Sequence, residues 1–98
     1  HILSALTGVL IYGWIADPLY LSGALSVATA IAVMHLTKTT HPPGGATALI
    51  AVIGSERVHQ LGFLYVLSPV ALGALIMLVV ALIVNNLTSF RRYPVFWW

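Results

Sequence analysis

The stretch TKTTHPPGGATALIAVIG, residues 37–54, decides how this chain folds. Polar residues lead into a histidine, two prolines and two glycines, and an apolar run begins directly after them. A proline disfavours helical backbone at the residue before it, so we expect His41 and Pro42 to be extended. Pro43 has the fixed φ that suits the first turn of a helix. The stretch therefore predicts that one helix ends before His41 and that another begins at Pro43.

The helix that begins at Pro43 is too short to cross a bilayer. At about 1.5 Å per residue, a helix over residues 43–54 is roughly 16 to 18 Å long, which is about half of the hydrocarbon core. We therefore expect residues 43–54 to form a half-helix, a re-entrant segment or a helix that its neighbours shield from lipid.

The composition is that of a membrane protein. Hydrophobic residues make up 60% of the 98 residues and charged residues only 6%, whereas a soluble domain has about 25% charged residues. The charged side chains all lie near the ends of apolar segments: Asp17, Lys38, Glu56, Arg57, Arg91 and Arg92. Because a charge at the centre of a bilayer is costly, this distribution predicts an all-α membrane protein, a small polytopic helical bundle. It gives no basic surface patch for a nucleic-acid partner. The lack of cysteine excludes disulfides and thiolate metal sites.

The apolar segments divide the chain into three predicted spans within a single transmembrane domain, residues 1–98. The spans cover about 2–16, 19–37 and 61–87, with the half-helix at about 43–54 and a polar, water-facing loop at 55–60. The first span is short, so we expect the chain to be a fragment that lacks an N-terminal span. Pro69 is expected to kink the last span, because proline removes one helical hydrogen bond.

Small residues and aromatic residues in the spans indicate how the helices pack and where they meet the membrane interface. Small residues recur at every fourth position in two rows of the second span, Ser22, Ser26, Ala30 and Ala24, Ala28, Ala32, and such rows let helix backbones approach closely in lipid. Aromatic residues near the span ends, among them Tyr12, Tyr65 and Trp98, are expected to anchor the helices at the membrane interface.

The start of the half-helix is a candidate anion site. The backbone N–H groups of Gly44, Gly45 and Ala46 are expected to be the first free donors there, where the helix dipole favours an anion. The predicted substrate-binding residues are His41, Pro42, Pro43, Gly44, Gly45, Ala46 and Thr47, with His35, Lys38 and Thr40 in support. Each also has a simpler interpretation: Pro-Pro-Gly-Gly is typical of a tight turn, Lys38 of the end of a span, and His35 of the membrane interface.

Two other kinds of site are conceivable in this sequence. His35, His41 and His59 could together hold a metal, although they lack the i, i+4 spacing of a helical histidine pair and no carboxylate except Glu56 lies close in sequence. A hydrolase would need a nucleophile with a paired base and acid, which the sequence does not provide. We expect no catalytic residues, no bound metal, no cofactor and no enzymatic activity.

The central motif also resembles a known family. HLTKTTHPPGGATALIAVIG, the opening HILSALTGVL and the tail VNNLTSFRRYPVFWW are similar to the HPP family of integral membrane proteins, named for the His-Pro-Pro that stands here at residues 41–43. The resemblance implies a small helical protein of four spans in a bacterial inner membrane or a plastid envelope. It also implies transport, because some members are assigned as nitrite transporters, while many have no assigned substrate.

Residues and resemblance together predict a transporter or channel for a small inorganic anion, with nitrite as the leading substrate. The alternative is a non-transport assembly or regulatory module that packs through its small-residue helix faces. The expected partners are the lipid bilayer, the anion and further copies of the same chain, because a few short spans enclose too little protein to surround a solute path. The coupling ion, the membrane orientation and the number of copies stay open at this point.

Overall fold

The computed structural model of the chain describes residues 1–87, 90 and 92–97. Within this part the protein is helical, without strands, and the prediction of a small all-α membrane bundle is confirmed. The helices are α1 (Ile2–Trp14), α2 (Leu19–Leu36), α3 (Pro43–Ile53), α4 (Glu56–Leu61), a kinked π-helical segment (Val66–Ala71) and α5 (Leu72–Asn86). Arg91 and Trp98, which the sequence placed beyond the last span, lie outside the described residues.

Helices α1, α2 and α3 form the packed part of the molecule. Contacts at glycines show how they run. Gly8 in α1 faces Ala48 and Ala51 in α3, and four residues earlier Ser4 faces Gly44. Residue numbers rise together along this contact, so α1 and α3 run in the same direction.

Helix α2 runs the opposite way along the same unit. Gly23, near its start, faces Leu49 of α3, while Met34, near its end, faces Gly44. The chain therefore goes up, down and up through α1, α2 and α3. As a result, the start of α3 lies beside the start of α1 and the end of α2.

Small side chains line the contacts between these three helices. The first small-residue row of α2, Ser22, Ser26 and Ala30, is almost fully buried, and on α3 the buried positions are Gly44, Gly45, Thr47, Ala48, Ala51 and Val52. The second row, Ala24, Ala28 and Ala32, is exposed. Such small residues permit close helix contacts in lipid, where no hydrophobic effect drives helices together. One row thus packs inside the molecule and the other faces outward.

The chain after α3 departs from the expected loop and single straight span. The polar run after Gly54 forms the short helix α4 rather than a loop. The last apolar stretch is kinked where predicted: Ser68, just before Pro69, has non-helical dihedrals of φ −141° and ψ 120°. Pro69 cannot donate a backbone hydrogen bond, which explains the break at this position.

Two apolar helical stretches are long enough to cross a membrane, α2 with 18 residues and Val66–Asn86 with 21. Helices α1 and α3 are shorter. Helix α3 has 11 residues and buries one face against α1 and α2. Helix α5 has no buried residue and leaves the three-helix unit.

Candidate functional site

A line of three polar side chains lies at the start of α3. The Nε2 atom of His41 is 3.1 Å from Nε2 of His1, and Nδ1 of His1 is 2.7 Å from Oγ1 of Thr47. The two imidazole rings meet edge to face, with centroids 4.7 Å apart. His41 comes from the loop before α3, His1 from the start of α1 and Thr47 from the second turn of α3. The fold thus brings His1 together with residues 40 and 46 positions away.

The hydrogen bonds of Thr47 determine which atoms donate and which accept along the polar line. Its hydroxyl donates to the carbonyl oxygen of Pro43 at 3.4 Å, one turn earlier in α3. Since this bond uses the hydroxyl proton, the Nδ1–H group of His1 donates to Thr47 Oγ1. In a neutral His1 ring, Nε2 then has a free lone pair and accepts the Nε2–H group of His41. Each nitrogen of His1 is used, whereas Nδ1 of His41 is left with a free lone pair.

Two cavities are bordered by His1. One, of about 230 Å³, is bordered by residues from α1, the end of α2, the following loop and α5: His1, Ile2, Leu3, Met34, Thr39 and Ala74. The other, of about 200 Å³, lies among α1, α3 and the kinked segment and is bordered by His1, Thr47, Tyr65, Pro69, Val70, Gly73, Ala74 and Met77. The polar line therefore has space for a small solute beside it.

His1 shares two cavities with Ala74 of the longest apolar stretch. Ala74 borders both cavities next to His1, and it is the ninth of the 21 residues in Val66–Asn86. When a stretch of this length crosses a bilayer, its central residues lie near the centre of the hydrocarbon core. The polar line lies at the end of the three-helix unit where α2 ends, and its His1 member shares cavities with a residue in the first half of the last apolar stretch.

Tyr65, just before the kinked segment, is hydrogen-bonded through its side chain to α3 beside the polar line. Its side chain is only 4% exposed, and its hydroxyl donates to the carbonyl oxygen of Thr47 at 3.1 Å. The aromatic ring packs in a buried cluster with Ala5 and Ala51. The expectation that Tyr65 anchors the interface is therefore wrong. The small side chains of α1 and α3 leave room for the ring, and a carbonyl is available for the hydroxyl.

The two glycines do not offer the free donors that the sequence suggested. The N–H of Gly44 donates to the carbonyl of His41 at 2.8 Å, and the N–H of Gly45 donates to that of Pro42 at 3.1 Å. These bonds form because the chain is helical already at Pro42, with φ −50° and ψ −40°, rather than extended as expected. The predicted open pair of donors is therefore wrong for Gly44 and Gly45.

Close packing accounts for the glycine at position 44. A β-carbon there would lie 2.7 Å from Oγ of Ser4 and 2.8 Å from Sδ of Met34, whereas one at Gly45 would lie 3.6 Å from Val27. Both glycines are buried between α3 and its neighbours. Their lack of side chains thus brings the helices together.

The remaining predicted residues lie around this helix start. Pro42, Pro43, Ala46 and Thr40 are exposed. His35 is also exposed, and its Nδ1–H donates to the carbonyl of Ile31 in its own helix at 3.0 Å. Hydrogen bonds between side chains therefore connect, of the predicted set, His41 and Thr47 through His1.

Lys38 ends α2. It has a positive φ of 56°, its N–H bonds to the carbonyl of His35, and the N–H of Thr39 bonds to that of Met34. This pair of bonds is the Schellman arrangement that commonly closes helices. The backbone of Lys38 thus has a structural role, and its side chain is exposed.

A second polar pair closes the other end of α3. Nε2 of His59 is 2.9 Å from the carbonyl oxygen of Val52, so it carries the proton and donates, and the hydroxyl of Tyr12 donates to Nδ1 at 3.2 Å. The two rings are stacked 4.2 Å apart. They border a cavity of about 360 Å³ with Trp14 and Phe63. This pair satisfies a carbonyl that the end of a helix leaves free.

These partners also separate the histidines of the conceivable metal site. His41 bonds to His1, His59 to Val52 and Tyr12, and His35 to its own helix. Among residues 1–87, 90 and 92–97, no three histidine or carboxylate side chains lie close enough to hold an ion. His1 is the residue that the sequence interpretation missed. Its signal was an ionisable side chain directly before an apolar segment.

Comparison with known proteins places this arrangement in a membrane family. A sequence model described as the HPP transmembrane region matches residues 1–94. Two proteins of Dictyostelium discoideum, each described as a transmembrane protein, are 59% and 51% identical over 75 residues, 76% of this chain. The chain spans about a quarter of their length, 24% and 26% respectively. No solved structure matches the chain. These relatives do not support a bacterial or plastid location.

Proposed function

Because the chain belongs to the HPP family of membrane proteins, we propose that it forms the solute path of a transporter or channel for a small inorganic anion, with nitrite as the leading substrate. The substrate site is the line of His41, His1 and Thr47 together with the cavities beside His1. Nitrite is taken from the resemblance of the sequence to family members with that assignment.

The observation that carries the proposal is a line of two hydrogen-bonded imidazoles and a threonine hydroxyl, part of which borders cavities beside an apolar stretch long enough to cross a membrane. Ionisable side chains at membrane depth are rare and commonly mark a solute or proton path. Polar, irregular backbone is tolerated within a bilayer only against protein or a water-filled cavity. Thr39, in the loop before α3, borders the cavity beside His1.

The start of a short helix beside a kinked helix adds support. Transporters commonly bind solutes where helices are interrupted near the centre of the bilayer. Here α3 begins beside His1, and the break at Ser68 lies just before Pro69, which borders one of the cavities. Since Gly44 and Gly45 use their N–H groups within the chain, the anion is bound by side chains and by the field of the helix start.

Nitrite uptake into proteoliposomes tests this proposal. We expect purified full-length protein to accelerate uptake over empty liposomes, and His1→Ala to reduce the acceleration by about tenfold or more, because it removes both bonds of the line. His35→Ala is the matched control, since His35 is bonded only within its own helix. Equal uptake by wild type and empty liposomes would refute the proposal.

The exposed row Ala24, Ala28 and Ala32 favours a second candidate, a module that assembles with other membrane segments. Helix α5 has no buried residue. We therefore also propose that further copies of the chain pack against it and complete the solute path. Light scattering of the detergent-solubilised protein measures the number of copies. An active monomer would contradict the assembly of copies, and flux that requires an added partner protein would favour the module.

A further inference from the structure

We infer that His41 carries a proton together with the anion, so that the protein is a proton–anion cotransporter. This inference rests on the proposed anion transport and adds the coupled ion. Its basis is the hydrogen-bond direction along His41, His1 and Thr47, which leaves one nitrogen of the line free to take a proton.

The free nitrogen is Nδ1 of His41. Since Nε2 of His41 donates to His1, Nδ1 of a neutral ring is unprotonated. A proton that adds there gives an imidazolium and leaves the Nε2–H bond to His1 in place. His41 is exposed in the structure, so the proton can enter from the solution side of the loop.

His1 is a positioning residue for this step. Its Nδ1–H group is held by Thr47 at 2.7 Å, and its Nε2 accepts from His41 at 3.1 Å. It has no nitrogen left for a further proton. By accepting from Nε2 of His41, it fixes the tautomer in which Nδ1 of His41 is the proton acceptor.

The other ionisable groups near the pair are few. Helix α3, the kinked segment and α5 contain no ionisable side chain, and Tyr65, just before the kinked segment, directs its hydroxyl to the carbonyl of Thr47. Near the end of α2, His35 and Lys38 are exposed, and along α1 the next ionisable residue is Tyr12, which bonds to His59. In the described part of the chain the carboxylates Asp17 and Glu56 follow the ends of α1 and α3, at the opposite end of the three-helix unit from His41. In this cotransport the counter-ion of a protonated His41 is therefore the transported anion.

Charge balance explains why the two ions would cross together. A bare anion at the centre of a bilayer is costly, and so is a bare imidazolium. One proton on His41 and one nitrite in a cavity beside His1, which is hydrogen-bonded to His41, together carry no net charge. Release of both ions on the other side returns His41 to its neutral state, and the cycle moves one proton and one anion with no net charge.

Proteoliposomes with separately clamped pH gradient and membrane potential test the coupling. For one-to-one cotransport, a gradient of one pH unit at zero potential should accumulate nitrite about tenfold. An imposed potential at equal pH should have no effect. His41→Gln keeps a donor to His1 and lacks the second ring nitrogen. We expect its nitrite flux to follow the potential and to lose the response to the pH gradient, while His35→Gln behaves as wild type.

Wild-type flux that follows the potential alone would overturn the inference and leave the transport proposal intact. If no flux occurs, the transport proposal is refuted. The protonation of His41 is then tested separately, by nitrogen NMR of histidine-labelled full-length protein in nanodiscs. Addition of nitrite at constant pH should raise the protonated fraction of His41, seen at Nδ1. An unchanged His41 spectrum would overturn the inference.

Discussion

Gly8 of α1 lies directly against the main-chain carbonyl of Ala48 in α3. A β-carbon on Gly8 would be 2.5 Å from that oxygen and 2.8 Å from the Cβ atom of Ala51. The two helices therefore touch backbone to backbone at this point. Because α1 and α3 run in the same direction, this contact also influences the separation between Thr47, next to Ala48, and His1, about two turns before Gly8.

Replacement of Gly8 by alanine should destabilise the protein. The carbonyl of Ala48 is part of the helix and cannot rotate away, so α1 must shift, and overpacking of this kind costs about 1 to 3 kcal/mol. Thermal unfolding in detergent measures the change. Gly13→Ala in the same helix is the matched control, because a β-carbon there has no atom within 4 Å. A Gly8→Ala protein as stable as the control would contradict the backbone contact.

Gly44 and Gly45 should respond differently to the same substitution. Gly44→Ala places a methyl group 2.7 Å from Ser4 Oγ and 2.8 Å from Met34 Sδ, so both side chains must move and unfolding should become easier by about 1 kcal/mol. Gly45→Ala finds only an ordinary contact with Val27, at 3.6 Å, and should be tolerated. Comparison of melting temperatures and nitrite uptake for both variants measures this. If Gly45→Ala abolishes uptake while its stability is unchanged, the solute touches Gly45, and packing is an incomplete account.

The sequence predicted the elements of this fold better than their contacts. The proline pair marked the start of α3, and Pro69 marked the kink, because proline acts locally on its own backbone. The local rule failed at Pro42, which is helical. There the backbone joins α3 early, and the carbonyls of His41 and Pro42 take up the first two glycine N–H groups.

The partners of the polar side chains could not be predicted, because they come from distant parts of the chain. His1 and Thr47 are 46 positions apart, and Tyr12 and His59 are 47 apart. No local pattern encodes these pairs; they follow from the parallel course of α1 and α3. Likewise, spacing alone could not tell which small-residue row of α2 would be buried, since both rows have the same period.

The His59 ring should stabilise the far end of α3. Its replacement by alanine leaves the Val52 carbonyl without its donor and removes the stack on Tyr12, which should lower the free energy of unfolding by about 1 to 3 kcal/mol. Tyr12→Phe removes only the hydroxyl and should cost about 0.5 to 1.5 kcal/mol. Thermal unfolding of both variants gives the comparison, with Tyr20→Phe as control, because Tyr20 is 81% exposed. A smaller loss in His59→Ala than in Tyr12→Phe would show that the carbonyl is satisfied in another way.

One substitution on each face of α2 distinguishes the role of the buried small-residue row from that of the exposed row. Ala30 is 1% exposed, so Ala30→Leu must push α2 away from its neighbours and should destabilise the protein by about 1 to 3 kcal/mol. Ala28 belongs to the exposed row, and Ala28→Leu should leave the unfolding of a single copy unchanged. Thermal unfolding and light scattering in detergent distinguish the two effects. If Ala28→Leu leaves the melting temperature intact but lowers the molecular mass, the exposed row joins copies of the chain. If Ala30→Leu is as stable as the wild type, the three-helix packing described for α2 is wrong.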